Sequence, residues 1–160
     1  MKTLTLLRHA KSEAESPGGG DFERSLSDRG RADALRMGGE MRRLGLRFDL
    51  VLASPARRVV ETVEQVGELS ARYDARIYNA STGQLLDIIR SIDDGVDSLL
   101  IVGHNPGIED LVVLLAVIEI EKFPTGALAE IGLSVEHWRD VKGGTGQLTR
   151  LAKPKGLSSS

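Results

Sequence analysis

Cysteine is absent from the 160-residue chain, which excludes disulfides, thiolate metal ligands and a cysteine nucleophile. Long hydrophobic runs are missing too. The longest, Leu111 to Ile118, spans eight residues, whereas a bilayer crossing needs roughly 20. The N-terminal stretch Thr3-Leu4-Thr5-Leu6-Leu7-Arg8 has too short an apolar segment for a signal peptide. The expectation is a cytoplasmic protein with no membrane partner. An excess of one charge is also lacking: 21 Lys and Arg against 23 Asp and Glu leave a net charge of −2. That balance gives no bulk attraction to nucleic acid, although a local basic pocket is compatible with it. What the chain does have is 41% hydrophobic and 28% charged residues, the proportions of a globular protein. Its length suits one α/β unit. The expected organisation is a single domain over 1–153 and a flexible tail at 154–160.

Three short apolar runs, Leu4–Leu7, Leu50–Leu52 and Leu99–Val102, read as buried strands of a parallel sheet covered on both faces. Helical spacing separates them. Ala34, Met37, Met41 and Leu44 recur at three and four residues behind Ser27, a suitable N-cap. Val59, Val63 and Val66 mark a second helix, and Leu85, Ile88 or Ile89, and Ile92 a third with Thr82 as its cap. A fourth would begin at Asn105-Pro106, cap plus first-turn proline, and bury Ile108, Leu111, Leu115 and Ile118. After Pro124 come two more strand-like segments, Ala127–Leu133 and Gln147–Leu151, at least one of them an antiparallel edge. The predicted fold is therefore a three-layer α/β/α sandwich with a mostly parallel sheet.

Two of the three histidines follow apolar strands, where α/β folds place their ligands. His9 lies in Leu7-Arg8-His9-Ala10-Lys11-Ser12 and His104 in Val102-Gly103-His104-Asn105-Pro106-Gly107. The remaining strand, Leu50–Leu52, ends in Ala53-Ser54-Pro55-Ala56-Arg57-Arg58. Three strand ends thus deliver arginines and imidazoles to one side of the sheet. Guanidinium forks bind phosphate oxygens, a neutral imidazole can attack phosphorus, and a helix start adds backbone donors.

At these residues the chain resembles the histidine phosphatase superfamily, which is phosphoglycerate-mutase-like in fold. It is most similar to the small bacterial phosphohistidine phosphatases of the SixA type. The resemblance rests on Arg8-His9-Ala10-Lys11-Ser12, on Arg24-x-Leu26-Ser27-x-Arg29-Gly30, on Ser54-Pro55-Ala56-Arg57 with Thr62, and on Gly103-His104-Asn105-Pro106-Gly107. It implies that His9 is the nucleophile and that Arg8, Arg57 and His104 surround the phosphate, with Arg8 and Arg57 keeping His9 unprotonated. Ser12 and Asn105 would add contacts. It also implies hydrolysis in two steps without metal or other cofactor. The partner would be a phosphohistidine-bearing protein domain or a small phosphorylated metabolite.

The usual proton donors of that superfamily are missing. No Glu occurs from Leu69 to Ile108, and Asn105 stands where acid-phosphatase members carry Asp. Asp21 is the nearest substitute by position, as an acid or as an orienter of Arg8 or Arg57. Because imidazole leaves more readily than an alkoxide, the missing acid favours a phosphoramidate such as phosphohistidine, with a phosphatase for a small phosphate ester or anhydride as the alternative. A non-catalytic phosphate-binding regulatory module is the reading from another class. Other residues have plainer roles: His137 beside Trp138 as a half-buried packing residue, Arg58 as solvent-facing or structural, and Arg29, Arg36 and Arg43 as a solvated helix face. Lys11 is either at the entrance or solvated. Gly18-Gly19-Gly20 reads as a flap near the site, not a phosphate loop. A zinc site on the histidine pair finds no third ligand at useful spacing.

Overall fold

The computed structural model describes residues 1–157. Its centre is one six-stranded sheet of β1 (Lys2–Arg8), β2 (Leu50–Ala53), β3 (Ala71–Tyr73), β4 (Ser98–Gly103), β5 (Leu128–Leu133) and β6 (Gly146–Ala152). The strands lie in the order β3-β2-β4-β1-β5-β6. Pairing is parallel from β3 across β2 and β4 to β1, and antiparallel from β1 to β5 and from β5 to β6. The strand that opposes β1 is therefore β5, one position in from the edge, and the edge strand β6 again runs with β1.

Alternation along the buried strands sorts side chains into two layers. Leu4, Leu6, Leu99 and Ile101 face one side, where they pack with Leu85, Ile88 and Ile89 of α3 (Thr82–Arg90) and Ile108, Leu111 and Leu115 of α4 (Gly107–Ala116). Leu7, Leu100 and Val102 face the other, against Ala34, Met37 and Met41 of α1 (Asp28–Arg43) and Val59, Val63 and Val66 of α2 (Arg57–Val66). This is the expected three-layer sandwich.

Ser27 caps α1 as predicted, its side chain accepting from the Gly30 amide. The cap of α3 is Ser81 rather than Thr82: Ser81 and Gln84 form a reciprocal capping box, which satisfies two amide donors where Thr82 would satisfy one. Helix α4 starts one residue later than expected, with Pro106 as its cap residue, and ends at Ala116, so Ile118 lies beyond it, half-buried. The expected loose segment at 154–160 is packed in part. Pro154 is buried and Leu157 lies against the α1–α2 core layer; residues 158–160 lie outside the described residues.

Two glycines of α1 allow backbone-to-backbone approach. A Cβ on Gly30 would lie 2.0 Å from the Lys11 carbonyl oxygen, and one on Gly38 would lie 2.1 Å from that of Val66. Gly30 therefore seats the loop that follows β1 directly on the helix, where Lys11 O also accepts from the Ser27 amide and hydroxyl. Neither partner is a flexible side chain, so the backbone itself would have to move. Gly30→Ala should cost about 1–3 kcal/mol of stability, the range of overpacking, and chemical denaturation measures it.

Candidate active site

Strand register brings the two histidines together. β1 and β4 are adjacent and parallel, with Arg8 paired to Gly103. The next residue on each strand is a histidine, and their rings stand 5.3 Å apart, edge to face. β2 flanks β4 on its other side with Ala53 opposite Val102, which puts Ser54 within 2.8 Å of His104 Nε2.

Arg58 joins these pieces. It is only 3% exposed. Its Nε donates to His9 Nε2 at 3.3 Å and its Nη2 pairs with His104 Nδ1 at 3.2 Å. Two further donations go to Asp21, from Nη1 to the carbonyl at 2.9 Å and from Nη2 to Oδ2 at 3.2 Å. Arg57, expected here, is instead on the outer face of α2, with its side chain 47% exposed and paired to Glu61 at 3.3 Å. Neighbours on a helix point about 100° apart, so only one of the two arginines can face the histidines. The buried positions of α2 are Arg58, Val59, Thr62, Val63 and Val66, which puts Arg58 on the inward stripe with Thr62 one turn later. Thr62 Oγ1 donates to the Arg58 carbonyl at 2.7 Å and accepts from the Ala10 amide at 3.0 Å. It thereby ties the helix to the His9 loop.

A guanidinium can only donate, and this fixes both tautomers. His9 Nε2 presents a lone pair while Nδ1–H donates to the Ala10 carbonyl at 2.7 Å. His104 accepts at Nδ1 and donates from Nε2 to Ser54 Oγ. Both rings are held neutral. Burial is the main cause, lowering the pKa to about 4 for His9, with Arg58, Arg8 and Arg24 adding repulsion. For His104 burial, then the His9 ring and Arg58, lower it to about 3.

These groups line an open cleft of about 430 Å³ with Arg8, Lys11, Ser12, Asp21, Arg24, Asn105 and Thr125. Arg8 donates from Nη1 to the Phe123 carbonyl at 3.1 Å. Its buried Nε has no partner among the described residues. Arg24 crosses the mouth, donating to Ser12 Oγ at 2.8 Å and to Asp21 Oδ1 from two nitrogens. Asn105 is tied to α4: its Oδ1 accepts from the Glu109 amide and its Nδ2 donates to the Phe123 carbonyl. That bond and the one from Ile108 N to the His104 carbonyl occupy amides of the α4 start that would otherwise face an anion. Four cationic side chains against one carboxylate make the cleft an anion site.

Asp21 is not placed as an acid. Its Oδ2 accepts from Tyr78 at 2.6 Å and from Arg58, and its Oδ1 from Arg24. The Tyr78 hydroxyl first, with Arg24 and Arg58, holds its carboxyl well below the usual range. It is an ionised acceptor that orients Arg58 rather than Arg8 or Arg57.

Arg58, expected to be solvent-facing or structural, is instead a buried member of the site, while the sequence assigns no role to Tyr78 and none to Ser54 beyond its motif. For Arg58 a signal exists, the i, i+4 spacing to Thr62. Tyr78 has none, since its partner is 57 residues away. His137 is half-buried and pairs with Asp94 at 2.8 Å, outside the cleft. The triple glycine precedes the turn Asp21–Glu23 and is exposed, with Gly19 and Gly20 lining a neighbouring pocket beside Asp21 and Arg24.

The depressed histidine pKa values make stability fall in acid. Below the unfolded pKa of about 6.5 the unfolded chain binds protons that folded His9 and His104 refuse until about pH 4 and below. Their contribution to stability is thus complete above about pH 6.5 and is lost as pH falls through that window, at up to about 1.4 kcal/mol per unit for each ring. Urea denaturation should show this slope, and His9→Asn/His104→Asn should flatten it.

Comparison with known proteins agrees with this fold. A sequence model of the histidine phosphatase superfamily (branch 1) matches residues 4–93. An uncharacterised protein of Mycobacterium tuberculosis is 36% identical over 160 residues, covering 93% of this chain and 100% of that protein. Among solved structures, a candidate phosphohistidine phosphatase SixA from Nakamurella multipartitia gives a TM-score of 0.86 at 24% identity, covering 96% of each chain. A second SixA candidate, from Agrobacterium tumefaciens, gives 0.81 at 27% identity, over 96% of this chain and 98% of that one. The chain belongs to the histidine phosphatase superfamily.

Proposed function

We propose that this protein is a phosphatase that removes the phosphoryl group from phosphohistidine on a partner protein, through a phosphorylated His9. The observation that carries the proposal is the buried Arg58 bridge between the lone pairs of His9 and His104. It marks a point where a phosphoryl group can meet a nucleophile and cations at once. Arg8 and Arg58 then stabilise the charge on the equatorial oxygens, and His104 joins them once a proton on Nδ1 makes that nitrogen a donor.

In the first step His9 Nε2 forms a bond to phosphorus as the substrate P–N bond breaks. The electron pair of that bond returns to the ring nitrogen. Phosphohistidine already protonated on its other ring nitrogen departs as neutral imidazole, so no acid from the enzyme is required. Water then attacks the phosphorus on His9, releasing inorganic phosphate and restoring the neutral ring. An ionised Asp21 with every lone pair engaged fits a leaving group of this kind and suits an alkoxide poorly. The open cleft fits a protein-borne substrate, and the SixA names of the structural neighbours point the same way.

A brief pulse of labelled substrate should leave acid-labile, base-stable label on His9, and His9→Ala should abolish turnover. Arg58→Ala should lower kcat/KM by about 10²-fold or more. Arg57→Ala should change it by less than about fivefold, as for an exposed ion pair. A phosphohistidine peptide should be preferred to sugar phosphates in parallel assays. The reverse preference would point to a small phosphate ester as the substrate.

A further inference from the structure

The chain is poor in aromatic residues, with three phenylalanines, two tyrosines and one tryptophan. Burial takes the largest rings first where they are scarce: Trp138 is 0% and Phe123 1% exposed. Phe22 departs from this. It is 37% exposed, belongs to neither core layer, and sits in the turn Asp21–Glu23 next to the cleft-lining Asp21.

Its position is not left to chance. Phe22 packs edge to face on Tyr78, with centroids 5.0 Å apart at 85°. Tyr78 meets His104 in the same manner at 5.5 Å and 82°. The Tyr78 hydroxyl, donating to Asp21 at 2.6 Å, fixes the ring between them. A row of three rings therefore leads from the phosphate site out to solvent, and Phe22 is its exposed end.

We infer that Phe22, held by Tyr78, is a specificity-determining contact that stacks on the imidazole leaving group of phosphohistidine. The inference rests on the proposed function and deepens it. The phosphoryl group is held between His9 and His104, so its leaving group projects away from them toward the open mouth. A flat ring arriving there meets a flat ring already positioned. A protonated imidazole gains further from the electron-rich face of an aromatic ring. A saturated sugar or alkyl group gains much less, and a bare phosphoramidate has no ring to stack.

That last comparison supplies the test. Phosphoramidate presents the same P–N bond without the imidazole, so the ratio of kcat/KM for a phosphohistidine peptide to that for phosphoramidate isolates the ring contact. In Phe22→Ala this ratio should fall roughly fivefold, mainly through KM, the size of an aromatic pair contact. Phe22→Trp should restore it. An unchanged ratio overturns the inference, whether both rates hold or both fall together, the latter marking Phe22 as merely structural. Failure of the wild-type protein to cleave phosphohistidine while it cleaves phosphoramidate would overturn the proposed function and this inference with it. That outcome is visible before any substitution is made.

Discussion

Arg58 carries a charge on a side chain that is almost wholly buried, and its environment is built around that fact. A buried guanidinium is tolerable only when its donors are met and a counter-charge is near. Two imidazole nitrogens, the Asp21 carbonyl and the Asp21 carboxylate meet them here. Each partner is constrained in return. The histidines must present lone pairs, which sets their tautomers, and burial keeps both rings neutral. Asp21 must stay ionised, which removes it as a proton donor and explains why Tyr78 and Arg24 are gathered around it.

The scaffold explains how such a cluster can be held. Parallel strands β1 and β4 end in register and β2 ends one residue short of β4, so the residues that follow gather at one rim of the sheet. Loops alone would leave these side chains free. Here the His9 loop is fastened to α1 at Gly30 and to α2 at Thr62, and His104 is fastened through Ser54. Rigid backbone on three sides reduces the reorganisation needed when a phosphoryl group displaces Arg58 from the imidazoles.

The fold was largely legible in the sequence because its buried strands and amphipathic helices carry strong periodic signals. β3 escaped notice for the opposite reason: Ala71-Arg72-Tyr73 is three residues long, at the sheet edge and largely exposed. At the site, His9, His104 and Arg8 could be read from strand ends followed by motif residues. The choice between Arg57 and Arg58 turned on helix phase, which a motif of adjacent arginines does not reveal. The pattern of buried residues on α2 would have resolved it, since Thr62 lies four residues after Arg58 and Glu61 four after Arg57. The environment of Asp21 was out of reach, because Tyr78 meets it only through the tertiary fold.

His9 can serve as the nucleophile only if the imidazoles facing Arg58 are both neutral. Nitrogen-15 NMR of the ring nitrogens at about pH 6, below the ordinary histidine pKa, reads this directly. The expected spectrum has His9 neutral with its proton on Nδ1 and His104 neutral with its proton on Nε2. A doubly protonated ring at either position, or the opposite tautomers, would contradict it.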